Sequence, residues 1–145
     1  MAREVLTPGQ VRIHSGSATR EEAMREAAEI LESVGAVTGG YYDAMQQREQ
    51  TVSTYMGNEL AIPHGTNDTK DTILESGLSV VRYDGGVDWG GERVTFVIGI
   101  AGKGDEHLEI LSRIALLFSE EDDVARLKAT SDAQELYDAV SAGVE

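Results

Sequence analysis

The sequence predicts an α/β domain, on three observations. Apolar residues recur at two periods that take turns along the chain: stripes at helical spacing, and short alternating or continuous runs of strand type. The run Val94 to Ala101 (Val-Thr-Phe-Val-Ile-Gly-Ile-Ala) has the apolar density of a strand covered on both faces, which places it centrally in a sheet. The length of 145 residues matches one domain able to bury one core.

The elements follow in order. After Pro8 and Gly9, Val11 and Ile13 alternate with Arg12 and His14, a short strand. Ser17, Ala18 and Thr19 lead into a helix, with Thr19 and Glu22 spaced as a capping box. Met24, Ala27, Ile30, Leu31 and Val34 form its apolar stripe, and Gly35 ends it. A second helix is expected over about 40–49, with Tyr41, Ala44 and Met45 inward. Residues 59–62 read as a short extended piece before Pro63. Leu78 to Tyr83 is a strand, and Asp84-Gly85-Gly86 is a turn signal after it. Gly102-Lys103-Gly104 breaks the central strand. Asp105 is placed to cap a helix with Leu108, Leu111, Ile114, Ala115 and Phe118 on one face. Two short helices near 121–128 and 131–142 complete the chain. Met24, Met45, Met56 and the tyrosines read as core or rim.

Charge and composition exclude several classes of function. Twelve Lys plus Arg stand against 26 Asp plus Glu, a formal charge of -14, which opposes binding to nucleic acid or to anionic lipid. With no Cys, disulfides, thiolate catalysis and zinc–sulfur sites are out. No apolar run is long enough to cross a membrane and the N-terminus shows no apolar leader, so a cytoplasmic location is expected. The basic residues are 9 Arg and 3 Lys, and the acid is spread along the chain. Such a surface suits a halophilic cytoplasm, where short-range screening removes the penalty of self-repulsion. That reading predicts that molar KCl leaves the melting temperature unchanged or raises it; a lower Tm on adding salt refutes it.

Proton-transfer or nucleophilic chemistry near neutral pH falls to three histidines, His14, His64 and His107. His14 ends the first strand among small polar residues and reads as solvated. His64 lies in Leu60-Ala61-Ile62-Pro63-His64-Gly65-Thr66. Pro63 extends Ile62 and fixes its own φ, so an imidazole is presented at a strand end. By spacing alone this is equally a turn histidine. His107 falls in the first turn of the helix after Gly-Lys-Gly-Asp-Glu, where unpaired N–H groups favour anions. The helix dipole and Glu106 pull its protonation in opposite directions, and by itself it reads as a helix-surface histidine. Strand-end loops of open α/β sheets collect site residues, so the two histidines are candidates for one site. Two histidines without a third ligand make a weak metal site. A phosphoryl-accepting histidine with a partner histidine and an arginine is the more coherent chemistry.

At these residues the sequence resembles a known family. Residues 44–66, Ala-Met-Gln-Gln-Arg-Glu-Gln-Thr-Val-Ser-Thr-Tyr-Met-Gly-Asn-Glu-Leu-Ala-Ile-Pro-His-Gly-Thr, resemble the active-site block of the mannitol/fructose-type enzyme IIA of the bacterial sugar phosphotransferase system. Ala23 through Tyr41, Val87-Asp88-Trp89, Val97 to Ala101 and Glu106-His107-Leu108 extend the likeness to about residues 10–142. The resemblance implies an α/β fold with a mixed central β-sheet flanked by helices in a single domain. It implies that His64 is the phosphoacceptor at Nε2, taking phosphate from the histidine phosphocarrier HPr and giving it to a cysteine of enzyme IIB of a membrane sugar permease. It implies that His107 contacts the phosphoryl group and that Arg48 neutralises charge, with no cofactor and no metal. Fructose and mannitol are the candidate sugars, fructose slightly preferred. Thr54 and Asn58 lie in the same block, and a bond from either to the His64 ring or to phosphate competes with turn capping. Glu49 either orients Arg48 or is a solvated helix-end acid, the reading preferred. Two other readings stand beside the phosphocarrier: a nitrogen-type regulatory enzyme IIA, and a non-catalytic interaction domain with structural histidines.

Overall fold

The computed structural model describes residues 5–65 and 72–144; Thr66, the last residue of the active-site block, lies outside them. Six strands form one mixed sheet, β1 (Val11–His14), β2 (Ser17–Thr19), β3 (Tyr55–Gly57), β4 (Leu60–Ala61), β5 (Gly77–Trp89) and β6 (Glu92–Ala101). Their order is β1-β5-β6-β4-β3, with β2 also on β5. β1 and β2 run parallel to β5, β5 antiparallel to β6, β4 parallel to β6 and β3 antiparallel to β4. The helices are α1 (Arg20–Ser33), α2 (Tyr41–Thr51), α3 (Glu106–Leu117), α4 (Glu121–Lys128) and α5 (Ala133–Val144). The mixed sheet flanked by helices is the architecture the resemblance implies.

The apolar density of β5 and β6 has the expected cause. Val81, Tyr83, Val87, Val94 and Val97 pack under α1 and α2 with Met24, Ala27, Leu31, Tyr41 and Met45. Leu78, Val80, Phe96, Ile98 and Ile100 pack on the opposite face with Ile110, Ile114, Leu127, Leu136 and Val140 of α3, α4 and α5. Both faces are therefore dry along Gly77–Tyr83 of β5 and Val94–Ala101 of β6. Thr19 and Glu22 form the capping box: the Glu22 N–H donates to Thr19 Oγ1 at 3.1 Å and the Thr19 N–H to Glu22 Oε1 at 2.9 Å.

Four expectations are corrected. Asp84-Gly85-Gly86 is not a turn, because β5 runs through it to Trp89 with an irregular step between Arg82 and Val87. The glycines are there because β2 lies alongside: the Gly85 N–H donates to Gly16 O at 3.0 Å, and a Cβ on Gly85 would meet Gly16 backbone at 2.5 Å. The chain reverses instead between Trp89 and Glu92. Ser17 to Thr19 is itself a strand, and Tyr55 to Gly57 is another that the sequence pattern did not show. Asp105 occupies the cap position of α3 but has helical φ and ψ of -72° and -15° and makes no side-chain capping bond. Leu108 is 69% exposed; α3 packs through Ile110 and Ile114.

The hairpin joining β3 to β4 turns on Asn58 and Glu59, at φ of 50° and 65°. Asn tolerates this region, whereas a left-handed Glu costs about 1–2 kcal/mol. Its side chain is held in return: Thr95 Oγ1 donates to Glu59 Oε1 at 2.6 Å and Lys128 Nζ to Oε2 at 2.8 Å. Glu59→Ala keeps the backbone strain and loses both bonds, while Glu59→Gly loses the bonds and relieves the strain. Urea unfolding is therefore expected to find the Gly variant more stable than the Ala variant by about 1 kcal/mol. The reverse order would contradict this account of the turn.

Candidate active site at the ends of β4 and β6

Because β4 and β6 are parallel, their C-terminal ends reach the same edge of the sheet. β4 continues into Ile62-Pro63-His64, and His64 bridges Ile100 near the end of β6. The chain leaves β6 through Gly102 and Lys103 and returns His107 in the first turn of α3. The two rings meet with centroids 5.2 Å apart and planes at 57°. His107 shares a helix face with Ile110 and Ile114, so turning it to His64 also turns Leu108 outward.

His64 is 9% exposed, and its Nδ1 lies 2.7 Å from the carbonyl oxygen of Ile62. A carbonyl only accepts, so Nδ1 carries the proton and donates. The neutral ring then has its lone pair on Nε2. Burial pushes the His64 pKa below the ordinary imidazole value, and the charges of His107 and Arg48 add to this; the Ile62 bond and Glu49 oppose it. His107, half-buried, is lowered by the same desolvation and by Arg48. Both imidazoles are thus held neutral, and the guanidinium supplies the site's fixed positive charge.

The sign of the pH dependence follows. Above the ordinary value of 6.5 neither state of the chain protonates these rings, and they do not affect stability. As pH falls below 6.5, the unfolded chain takes up protons that native His64 and His107 refuse, so stability falls with pH. Denaturant titrations from pH 7.5 to 5 are expected to show this loss, and the His64→Ala chain a smaller one. Equal slopes for the two chains would refute it.

Supporting groups surround the pair. Arg48, in the last turn of α2, donates from Nη1 to Val52 O at 2.6 Å and acts electrostatically on both histidines. Glu49 is not a solvated acid and does not hold Arg48. It is half-buried and accepts from the Thr54 N–H at 3.0 Å, Thr54 Oγ1 at 2.6 Å and Trp89 Nε1 at 2.9 Å. Thr54 is thereby turned to Glu49, and its carbonyl takes the Ile62 N–H at 3.1 Å. Asn58 points elsewhere and donates to Phe118 O at 2.7 Å. His14 is exposed, as expected of it, and sits 2.8 Å from Glu26 Oε2, with Arg12 and Tyr83 on the same carboxylate.

Two supports gave no signal in the sequence. Ser76 Oγ accepts from the Lys103 N–H at 2.9 Å and donates to Glu106 Oε1 at 2.7 Å, pinning the loop that carries His107. Glu106 is thus engaged by Ser76, and the net direction for His107 is downward, set by burial and Arg48. Gly102 lies against His107 so closely that a Cβ there would meet His107 Cα. Among the described residues no three His, Cys, Asp or Glu side chains gather as a metal site, and no helix is long and apolar enough to cross a membrane.

A neutral imidazole with a fixed tautomer, a second imidazole and a guanidinium have the chemistry to receive and pass on a phosphoryl group. The model of the EIIA 2 family of the phosphoenolpyruvate-dependent sugar phosphotransferase system matches residues 4–143. The mannitol-specific phosphotransferase enzyme IIA component of Halalkalibacterium halodurans is 46% identical over 136 residues, 94% of each chain. The protein of the same name from Staphylococcus aureus is 50% identical over 118 residues, 81% of this chain and 82% of its own. Enzyme IIA of Escherichia coli, solved in complex with phosphorylated mannitol enzyme IIB, superposes with a TM-score of 0.86 at 32% identity, covering 94% of this chain and 97% of its own. The chain belongs to the EIIA type 2 family and is a phosphotransferase component of that sugar phosphotransferase system.

Proposed function

We propose that Nε2 of His64 accepts a phosphoryl group from phospho-HPr and passes it to a cysteine of a mannitol-type enzyme IIB, at the cytoplasmic face of a sugar permease. The observation that carries this reading is the Nδ1–H bond to Ile62, which leaves Nε2 as the nucleophilic nitrogen. In the first step the Nε2 lone pair forms a bond to phosphorus as the donor's N–P bond breaks and its electron pair returns to the donor imidazole. The His64 ring gains positive charge, which the Ile62 carbonyl on Nδ1–H and the field of Glu49 stabilise. Arg48 and a hydrogen bond from His107 offset charge on the transferring oxygens. In the second step a thiolate sulfur of enzyme IIB attacks phosphorus, and the electron pair of the N–P bond returns to Nε2. The named relatives favour mannitol over the fructose preferred from sequence.

The test is transfer from labelled phosphoenolpyruvate through enzyme I and HPr to this chain, then to mannitol-type or fructose-type enzyme IIB. Label is expected on the chain and then, faster, on the mannitol-type acceptor. With competent partners, an unlabelled chain removes the phosphocarrier reading, and faster discharge to the fructose-type acceptor removes the mannitol assignment.

A further inference from the structure

Tyr41 opens α2 and is 1% exposed, which is what the apolar stripe predicts for it. Its hydroxyl is not at the surface. It donates to Ile100 O at 2.5 Å and accepts the Gly65 N–H at 3.0 Å. These groups have a particular place in the sheet. The β4–β6 register runs Leu60 with Phe96 and Ala61 with Val97, and continues as His64 with Ile100. In a parallel ladder Ile100 exchanges bonds with the residues on either side of His64. The bond on one side is made directly, from the Ile100 N–H to Pro63 O at 3.0 Å. On the other side the Tyr41 hydroxyl bridges Gly65 to Ile100.

The same helix carries Arg48, seven residues and two turns further on, on the face that holds Tyr41. One element therefore fastens the backbone just after His64 at its start and supplies the guanidinium at its end. We infer that Tyr41 is a positioning residue for phosphotransfer: its hydroxyl clasps α2 to the His64–Gly65 peptide and so sets Arg48 and the His64 ring in register with each other. The inference rests on His64 being the phosphoacceptor. Burial raises the Tyr41 pKa to about 12 against the opposing Gly65 bond, so the hydroxyl keeps its proton at neutral pH.

Tyr41→Phe keeps the ring in the core and removes only the clasp. With saturating phospho-HPr the rate constant for labelling is expected to fall about tenfold, the scale of a fraction of an ångström of misplacement. The KM for HPr should change less than twofold, because Tyr41 is too buried to touch a partner. The imidazole 15N shifts of His64 should move, reporting a displaced ring, while the Nδ1–H tautomer held by Ile62 persists. An unchanged rate, or an effect in KM alone, overturns the inference. So does an unchanged imidazole spectrum with a slowed rate, because a lower Tm alone would not select His64. Should the variant not fold, amide exchange in the wild-type chain decides: Gly65 is expected to be protected, and a freely exchanging Gly65 amide overturns the clasp. Wild-type chain that takes no label overturns the His64 reading and not the clasp, since the Gly65 measurement stands apart from activity.

Discussion

His64→Ala is expected to abolish phosphate acceptance while leaving the fold in place. The ring lies beyond β4 at the rim of the sheet, against His107, and belongs to neither apolar core cluster. The lost interaction is the Nδ1–H bond to Ile62, worth about 1 kcal/mol. Circular dichroism and Tm should therefore differ little from wild type, while label from phospho-HPr disappears altogether. The completeness of the loss is the point. In the proposed mechanism Arg48 and His107 assist transfer, but neither provides a substitute with a buried, tautomer-fixed lone pair. Mass-spectrometric localisation adds a sharper criterion. If the variant still takes phosphate, on His107 or on His14, the roles assigned to the histidines are wrong.

Gly102→Ala should be nearly as damaging without touching either histidine chemically. A Cβ on Gly102 would lie 2.4 Å from His107 Cα and 2.5 Å from His107 Cβ. The first of these atoms is backbone, so no side-chain rotation relieves the clash. The start of α3 must move, and it is tied at Glu106 and Lys103 to Ser76. Overpacking of this kind costs about 1–3 kcal/mol in stability. A displacement near 1 Å at His107 is expected to slow transfer to and from His64 by about 100-fold. Wild-type transfer rates in the Ala variant would show that His107 need not sit where the structure puts it.

How far the sequence could be read depended on whether a local pattern has one physical meaning or two. The continuous run of β6, the stripe of α1 and its capping box each have one, and they stand where the pattern puts them. Asp84-Gly85-Gly86 has two, since glycines mark turns and also close approaches of backbone. Only the presence of Gly16, distant in sequence, separates these meanings. β3 has three residues and no alternation to show it. The error at Leu108 is more instructive, because the right answer was derivable. A helix that turns His107 to the site carries Ile110 and Ile114 inward with it, and Leu108, about 100° away, must point out. The pairing of His64 with His107 was legible as parallel strand ends feeding one edge. The supports from Ser76, Glu49 and Tyr41 were not, because each is a polar contact made across the fold by a residue of unremarkable spacing.

The bond that fixes the His64 tautomer reaches only two residues back along the same chain. It belongs to the Ile62-Pro63-His64 segment and borrows nothing from the partner strand or from α3. Helices and loops around this rim can shift while the nitrogen that carries the lone pair remains the same one. Chemical identity and spatial aim are thus under separate control: three consecutive residues choose the atom, and the surrounding fold chooses where it points. A short tripeptide of this kind is transplantable, and the same choice of nitrogen should persist wherever its backbone is reproduced.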